Sequence, residues 1–166
     1  LQIAASIEKI SEHPLGQSIV RKAEEELLML KEPESFLAIP GKGLKAQLDG
    51  KEVYIGNRKL VEDDKISVEI GEVDLLKLEE EGKTAILVSI DNKLSGIIAV
   101  ADKIKDNSRL VIEELKNMGL EIYMITGDNE RTAKAIANEA GIKNVLAEVL
   151  PENKAEVVEK IKSEGK

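Results

Sequence analysis

The sequence contains no cysteine, which excludes both disulfides and thiolate metal sites. Its one histidine, His13, leaves too few imidazoles for a histidine-rich metal centre. Aromatic residues are nearly absent. Phe36, Tyr54 and Tyr123 are the full set, so the core must be aliphatic. No apolar run reaches the roughly 20 residues that a membrane-spanning helix needs, and no signal-peptide pattern opens the chain. Excess positive charge is also missing. The net charge is −8, and a chain this acidic lacks the basic face that holds a nucleic-acid backbone. These absences point to a soluble, cytosolic chain with no nucleic-acid partner and no direct membrane contact. The first residue is not Met, and Leu1-Gln2-Ile3-Ala4-Ala5 already lies inside an apolar helical pattern. A piece of a longer protein is therefore expected.

What is present suits an ordinary globular fold. The 166 residues are 42 % apolar and 34 % charged, enough for one large domain or two small ones. Ile3, Ile7 and Ile10 recur at helical spacing until Pro14 interrupts. A second helix is expected to start near Pro14, because proline is tolerated in a first turn. Its apolar face would be Leu15, Ile19, Ala23 and Leu27. From Ser35 the period shortens to that of strands, over Phe36 to Ile39, Leu44 to Leu48 and Glu52 to Ile55. Pro40-Gly41-Lys42-Gly43 and Asp49-Gly50 separate them, the second being a strong hairpin signal. A short helix over Val73 to Glu81 ends at Gly82, and a hairpin of Thr84 to Ile90 with Leu94 to Ala101 turns at Asp91-Asn92. Residues 1 to about 100 thus read as helices beside a largely antiparallel sheet. Beyond them the order is helix Asn107 to Met118, strand Ile122 to Ile125, helix Glu130 to Ala140, strand Val145 to Val149 and helix Lys154 to Lys162. That alternation predicts a parallel sheet covered by helices, so the fold class is α/β. The boundary is expected near Val100 to Asp102.

Several short stretches carry chemistry. Ile122 to Asn129 is an apolar strand that ends in Thr126-Gly127-Asp128 before a helix begins. Ligands of open α/β sheets bind off the carboxyl ends of strands. Thr126 could donate to a phosphoryl oxygen, and Gly127 lets backbone approach it. Asp128 or Asn129 would equally serve as a plain helix cap. Lys154, in Pro151-Glu152-Asn153-Lys154, could neutralise a phosphate or be a solvated surface lysine. Asp102 and Lys105 lie at the boundary, as hinge or charge-pair residues or as plain surface charges. In Ser11-Glu12-His13-Pro14-Leu15, Pro14 limits the backbone just after His13, and Glu8 lies five residues before it. A neutral imidazole and a carboxylate could read an adenine edge. A histidine that only ends a helix has the same signature. Gly41-Lys42-Gly43 could admit a ligand to the backbone or form a tight turn. Gly56-Asn57 ends a strand, where Asn57 could cap the segment that follows.

Each signal is weak alone, but their order and spacing are specific. Glu8, Ser11-Glu12-His13-Pro14-Leu15, Gly41-x-Gly43 and Ile55-Gly56-Asn57 are followed by Gly82-Lys83-Thr84, Asp102-Lys-Ile-Lys105, Thr126-Gly-Asp128 and Pro151-x-x-Lys154. This series, across nearly the whole chain, resembles the heavy-metal (P1B) branch of the P-type ATPases. The wording Ser-Glu-His-Pro-Leu-Gly is most like the copper-transporting members. The resemblance implies a nucleotide-binding domain over residues 1–100. It implies part of a phosphorylation domain, with a haloacid-dehalogenase-like fold, over residues 101–166. It implies that Glu8 and His13 contact adenine, and that Gly41 and Gly43 shape the pocket wall. Gly56 and Asn57 would order the pocket or meet the sugar-phosphate. Thr126 and Asp128 would face the transferred phosphoryl group, and Lys154 would balance its charge. ATP or ADP is the implied ligand, with Mg²⁺ mattering mainly in the intact protein. The implied partners are the rest of the phosphorylation domain and the actuator and membrane domains of a parent pump. The chain would be a cytoplasmic domain of an integral membrane protein. Two family segments do not occur here: an Asp-Lys-Thr-Gly-Thr run, whose Asp accepts the γ-phosphate, and a Gly-Asp-Gly-x-Asn-Asp run, which holds Mg²⁺. The chain alone is therefore expected to bind nucleotide without completing the reaction. The alternatives are a free-standing haloacid-dehalogenase-like phosphatase and a non-catalytic nucleotide-binding module.

Overall fold

A computed structural model describes residues 1–11, 13–101 and 104–163. Two compact units make up the chain. One is Leu1–Leu75 with Ala85–Val100, and the other is Leu76–Thr84 with Ala101–Lys166. The segment 76–84 belongs with the second unit although it precedes the boundary region in sequence.

The first unit is a five-stranded sheet between two helical layers. Helices α1 (Gln2–Glu8) and α2 (Pro14–Glu25) precede strands β1 (Ser35–Ile39), β2 (Gly43–Leu48) and β3 (Lys51–Gly56). A short helix α3 (Arg58–Asp63) and then α4 (Glu72–Glu80) lead to β4 (Thr84–Ile90) and β5 (Lys93–Val100). The strands run in sequence order across the sheet, with β1–β2, β2–β3 and β3–β4 antiparallel. Asp49-Gly50 and Asp91-Asn92 form the tight turns, all four residues at positive φ. That matches the turn whose twist suits a two-residue hairpin.

Strand alternation sends side chains to two faces. Val53, Ile55, Ile86 and Val88 pack with Ala4, Ala5, Ile7, Ile19 and Ala23 of α1 and α2. Tyr54 and Leu87 point the other way, against Leu60, Val61, Ile66 and Leu75. Burying each large aliphatic side chain contributes about 1.5–3 kcal/mol. Tyr54 is the one aromatic inside. Burial, with the Glu52 and Asp64 carboxylates nearby, pushes its hydroxyl up to about 12. The Lys45 ammonium lies 4.8 Å over its ring and pairs with Asp64 at 2.6 Å.

One expectation here is corrected. Leu27 does not extend the apolar face of α2, because the helix ends at Glu25. Leu27 has φ +56 and is 89 % exposed. The Leu28 amide then closes the end by donating to the Ala23 carbonyl, as in a left-handed helix stop. Leu28 packs against the core in its place.

In the second unit, α5 (Ser108–Asn117), β6 (Tyr123–Ile125), α6 (Glu130–Ala140), β7 (Asn144–Leu146) and α7 (Lys154–Ser163) alternate. Strands β6 and β7 are parallel, with Ile125 opposite Leu146. Strand β7 stops at Leu146, three residues short of the expected end. Glu148 takes φ +57, and the Glu148 and Val149 amides turn aside to the carbonyls of Asp128 and Thr126. Helix α6 carries the buried side chains Thr132, Ala133, Ala137 and Ala140 and ends at Gly141, φ +80. The described residues of α5 and α7 include none that is fully buried. No helix among the described residues is long and apolar enough to cross a membrane.

Candidate functional site

The candidate residues fall into three local clusters. The first is the α1–α2 junction. Glu8 is the last residue of α1, only 7 % exposed, and its Oε2 has no hydrogen-bond partner. Burial raises its carboxyl above the usual value of 4.5, and a hydrogen bond with Ser11 and the proximity of His13 partly offset that. A buried acceptor without a partner is costly unless something occupies it. Its place is made by Gly16, inside α2. A Cβ on Gly16 would overlap Oε2 of Glu8 and stand 2.9 Å from its Cδ. Gly16 was not among the expected site residues. The available signal was a glycine early in a helix, where it costs about 1 kcal/mol against alanine. His13 is the exposed N-cap of α2, with Pro14 as the first helical residue. Its Nδ1 accepts from the Leu15 amide at 3.3 Å, so the neutral ring carries its proton on Nε2, facing away from that bond. Glu12 lies outside the described residues.

The second cluster joins the β1–β2 turn to the end of β3. Gly43 and Gly56 are cross-strand partners. Gly43 has φ +141, and a Cβ there would overlap the Ile55 carbonyl oxygen and lie 2.5 Å from Gly56 Cα. A Cβ on Gly56 would overlap the Lys42 carbonyl oxygen and lie 2.7 Å from Leu60 Cδ2. Both glycines are therefore demanded by backbone contact alone. Asn57 secures the turn. Its Nδ2 donates to the Gly41 carbonyl at 2.8 Å, its backbone amide to the Lys42 carbonyl at 2.9 Å, and its Oδ1 caps α3 by accepting from the Leu60 amide at 3.2 Å. Gly41, at φ +71, completes the reversal. Asn57 thus spends both ends of its amide on holding the loop. No hydrogen bond among the described residues joins this cluster to the Glu8–His13 cluster.

The third cluster is the turn after β6. Thr126 Oγ1 donates to Asp128 Oδ2 at 2.6 Å and accepts from the Asp128 amide at 3.2 Å. The other carboxylate oxygen, Oδ1, accepts from Thr84 Oγ1 at 3.2 Å. Asn129, not Asp128, caps α6, by accepting from the amides of Arg131 and Thr132. Asp128 is thereby left free of capping and half-buried at the strand end. Gly127 keeps the turn thin, and a Cβ there would stand 3.5 Å from the Val149 carbonyl. Lys154 opens α7, exposed, five residues beyond the Val149 amide that binds Thr126. Of the boundary pair, Lys105 accepts the Ser108 amide through its carbonyl ahead of α5; Asp102 lies outside the described residues. Thr84 occurs in the Gly82-Lys83-Thr84 motif, but its tie to Asp128, 44 residues on, has no signature in sequence. A shallow depression of about 480 Å³ lies over Ser35, Leu37, Lys45 and Gln47 and includes none of the candidate residues. The Glu8 carboxylate, by contrast, holds a buried acceptor oxygen without a partner, the kind of polar group that fixes a ligand's orientation.

Comparison with known proteins identifies the family. The model of the haloacid dehalogenase-like hydrolases matches residues 2–166. A copper-exporting P-type ATPase of Staphylococcus aureus (strain Newman) is 46 % identical over the whole chain. The chain spans about a fifth (21 %) of that relative's length. Among solved structures, the catalytic domain of the CPx-ATPase CopB-B, studied for its conformational changes upon nucleotide binding, superposes with a TM-score of 0.68. That match is 26 % identical and covers 98 % of this chain and 56 % of the other. The N-domain of HMA8, a copper-transporting P-type ATPase, is 31 % identical with a TM-score of 0.50, over 61 % of this chain and 86 % of that one. The chain belongs to the haloacid dehalogenase-like hydrolase family, in the heavy-metal branch of the P-type ATPases.

Proposed function

We propose that this chain is the ATP-reading part of a copper-translocating P-type ATPase, with a nucleotide-binding domain over residues 1–100 and part of the phosphorylation domain over residues 101–166. The observation that carries the reading is the Glu8 carboxylate, buried and unpartnered on one oxygen beside His13. A base edge with an exocyclic amine supplies the missing donor. Glu8 and His13 hold the adenine. Gly41, Gly43, Gly56 and Asn57 act through the rigid turn they build. In the intact pump, closure of the domains brings the γ-phosphate to an aspartate outside this chain. A carboxylate oxygen bonds to phosphorus as the bond to the ADP oxygen breaks, giving an aspartyl phosphate whose hydrolysis drives ion movement. Thr126 and Asp128 bound that phosphoryl group, and Lys154 offsets its charge. Among the described residues no three His, Cys, Asp or Glu side chains converge, and both oxygens of Asp128 accept from hydroxyls. The residues present do not make a Mg²⁺ site by themselves.

The chain alone therefore binds nucleotide but forms no covalent intermediate. Calorimetry should give saturable binding of ATP and ADP that changes little with Mg²⁺. Incubation with γ-labelled ATP should leave no acid-stable, hydroxylamine-sensitive label. Absence of saturable ATP binding would overturn the nucleotide reading. A label lost in Asp128→Asn would show that the catalytic centre is misplaced.

A further inference from the structure

Within the second unit, the segment from Glu79 to Thr84 is fastened at four points to α6 and to the turn before it. Glu79, whose side chain is 5 % exposed, pairs with Arg131 of α6 at 3.2 Å. Thr132, wholly buried, donates through Oγ1 to the Lys83 carbonyl at 3.1 Å. Gly82 lies where a Cβ would stand 3.5 Å from Ala135 and Ile136 side-chain atoms. Thr84 Oγ1 donates to Asp128 Oδ1 at 3.2 Å. The first three contacts fix the backbone. The last reaches a carboxylate that Thr126 holds only by its other oxygen.

A carboxylate bound on one oxygen can still swing about its Cβ–Cγ bond. Held on both, by hydroxyls from two separate segments, it has one orientation. Such fixed geometry is what phosphoryl transfer draws on, since its catalysis is largely positioning and electrostatics. We propose that Thr84 is a positioning residue: its hydroxyl sets the orientation of Asp128 at the phosphoryl site. This rests on the reading that Asp128 faces the transferred group. Thr84 touches no reacting atom itself. The docking of Glu79 to Lys83 is what delivers its hydroxyl.

The test uses the full-length ATPase and compares Thr84→Ser with Thr84→Ala. The two variants differ only in the hydroxyl, and neither overfills the site. Thr84→Ala is expected to lower kcat by about tenfold with the ATP KM unchanged, whereas Thr84→Ser stays within about twofold of wild type. Equal kcat for the two variants would overturn the proposal, because a packing role is indifferent to the hydroxyl. So would a loss confined to KM. Asp128→Asn separates the layers. If it lowers kcat while Thr84→Ala matches Thr84→Ser, Thr84 alone is misassigned. If it leaves kcat unchanged, the phosphoryl site is misplaced and the proposal falls with it.

Discussion

Gly16→Ala separates binding from folding, because the same methyl group acts oppositely on the two. Gly16 lies inside α2, where alanine is favoured over glycine by about 1 kcal/mol. The added Cβ collides with the end of the Glu8 side chain, at Oε2 and at Cδ, 2.9 Å away, and stands 3.3 Å from Glu8 Cβ. The clash is with flexible side-chain atoms, so the carboxylate can rotate away without moving backbone. Leaving that pocket also relieves a buried charge whose pKa burial has raised. Folding therefore loses nothing or gains up to about 1 kcal/mol, which for a chain of this size is a rise of about 2–4 °C in Tm. Nucleotide binding loses the base acceptor. Misplacing one charge-assisted partner costs about 1.5–3 kcal/mol, or roughly 10- to 150-fold in Kd. Thermal melting and calorimetry on the same preparation read both quantities. An ATP affinity equal to wild type in a protein of unchanged Tm would refute the assignment of Glu8 as the base reader.

His13→Gln removes the imidazole while keeping a polar side chain, and should weaken ATP by about tenfold in calorimetry; equal affinities would count against His13. Gly43→Ala acts on backbone instead, since its Cβ meets the Ile55 carbonyl and Gly56 Cα at φ +141. It should cost about 3 kcal/mol or more, a fall of about 6–12 °C in Tm, and an unshifted melt would show that the turn can relax. For Glu8→Gln the sign follows from a raised carboxyl pKa. The folded chain binds that proton more tightly than the unfolded one, so ionised Glu8 costs stability as pH rises above its ordinary 4.5. The variant should therefore melt higher than wild type at pH 7, with the gap closing below about pH 4.5. Parallel melting curves at every pH would sink this account.

Local chemistry was legible in the sequence wherever neighbours along the chain decide it. The turns at Asp49-Gly50 and Asp91-Asn92 follow from residues that tolerate positive φ. The helix stop at Gly141 and the bounds of β4 and α6 follow from period and punctuation. Leu27 misled because apolar spacing continued past the point where the backbone turned left-handed. The motif series was readable as well, but only as an order of residues. What each motif does was a matter of tertiary contact. Gly43 and Gly56 are 13 positions apart, and only the β2–β3 register shows that each exists to make room for the other's strand. Gly16 reads as a flaw in a helix until the Glu8 carboxylate is seen lying against it. Thr84 and Asp128 are separated by 44 residues, and no periodicity spans that distance. Sequence patterns report forces between residues a few positions apart, whereas a site is built where distant segments are pressed together, and that only the packed chain decides.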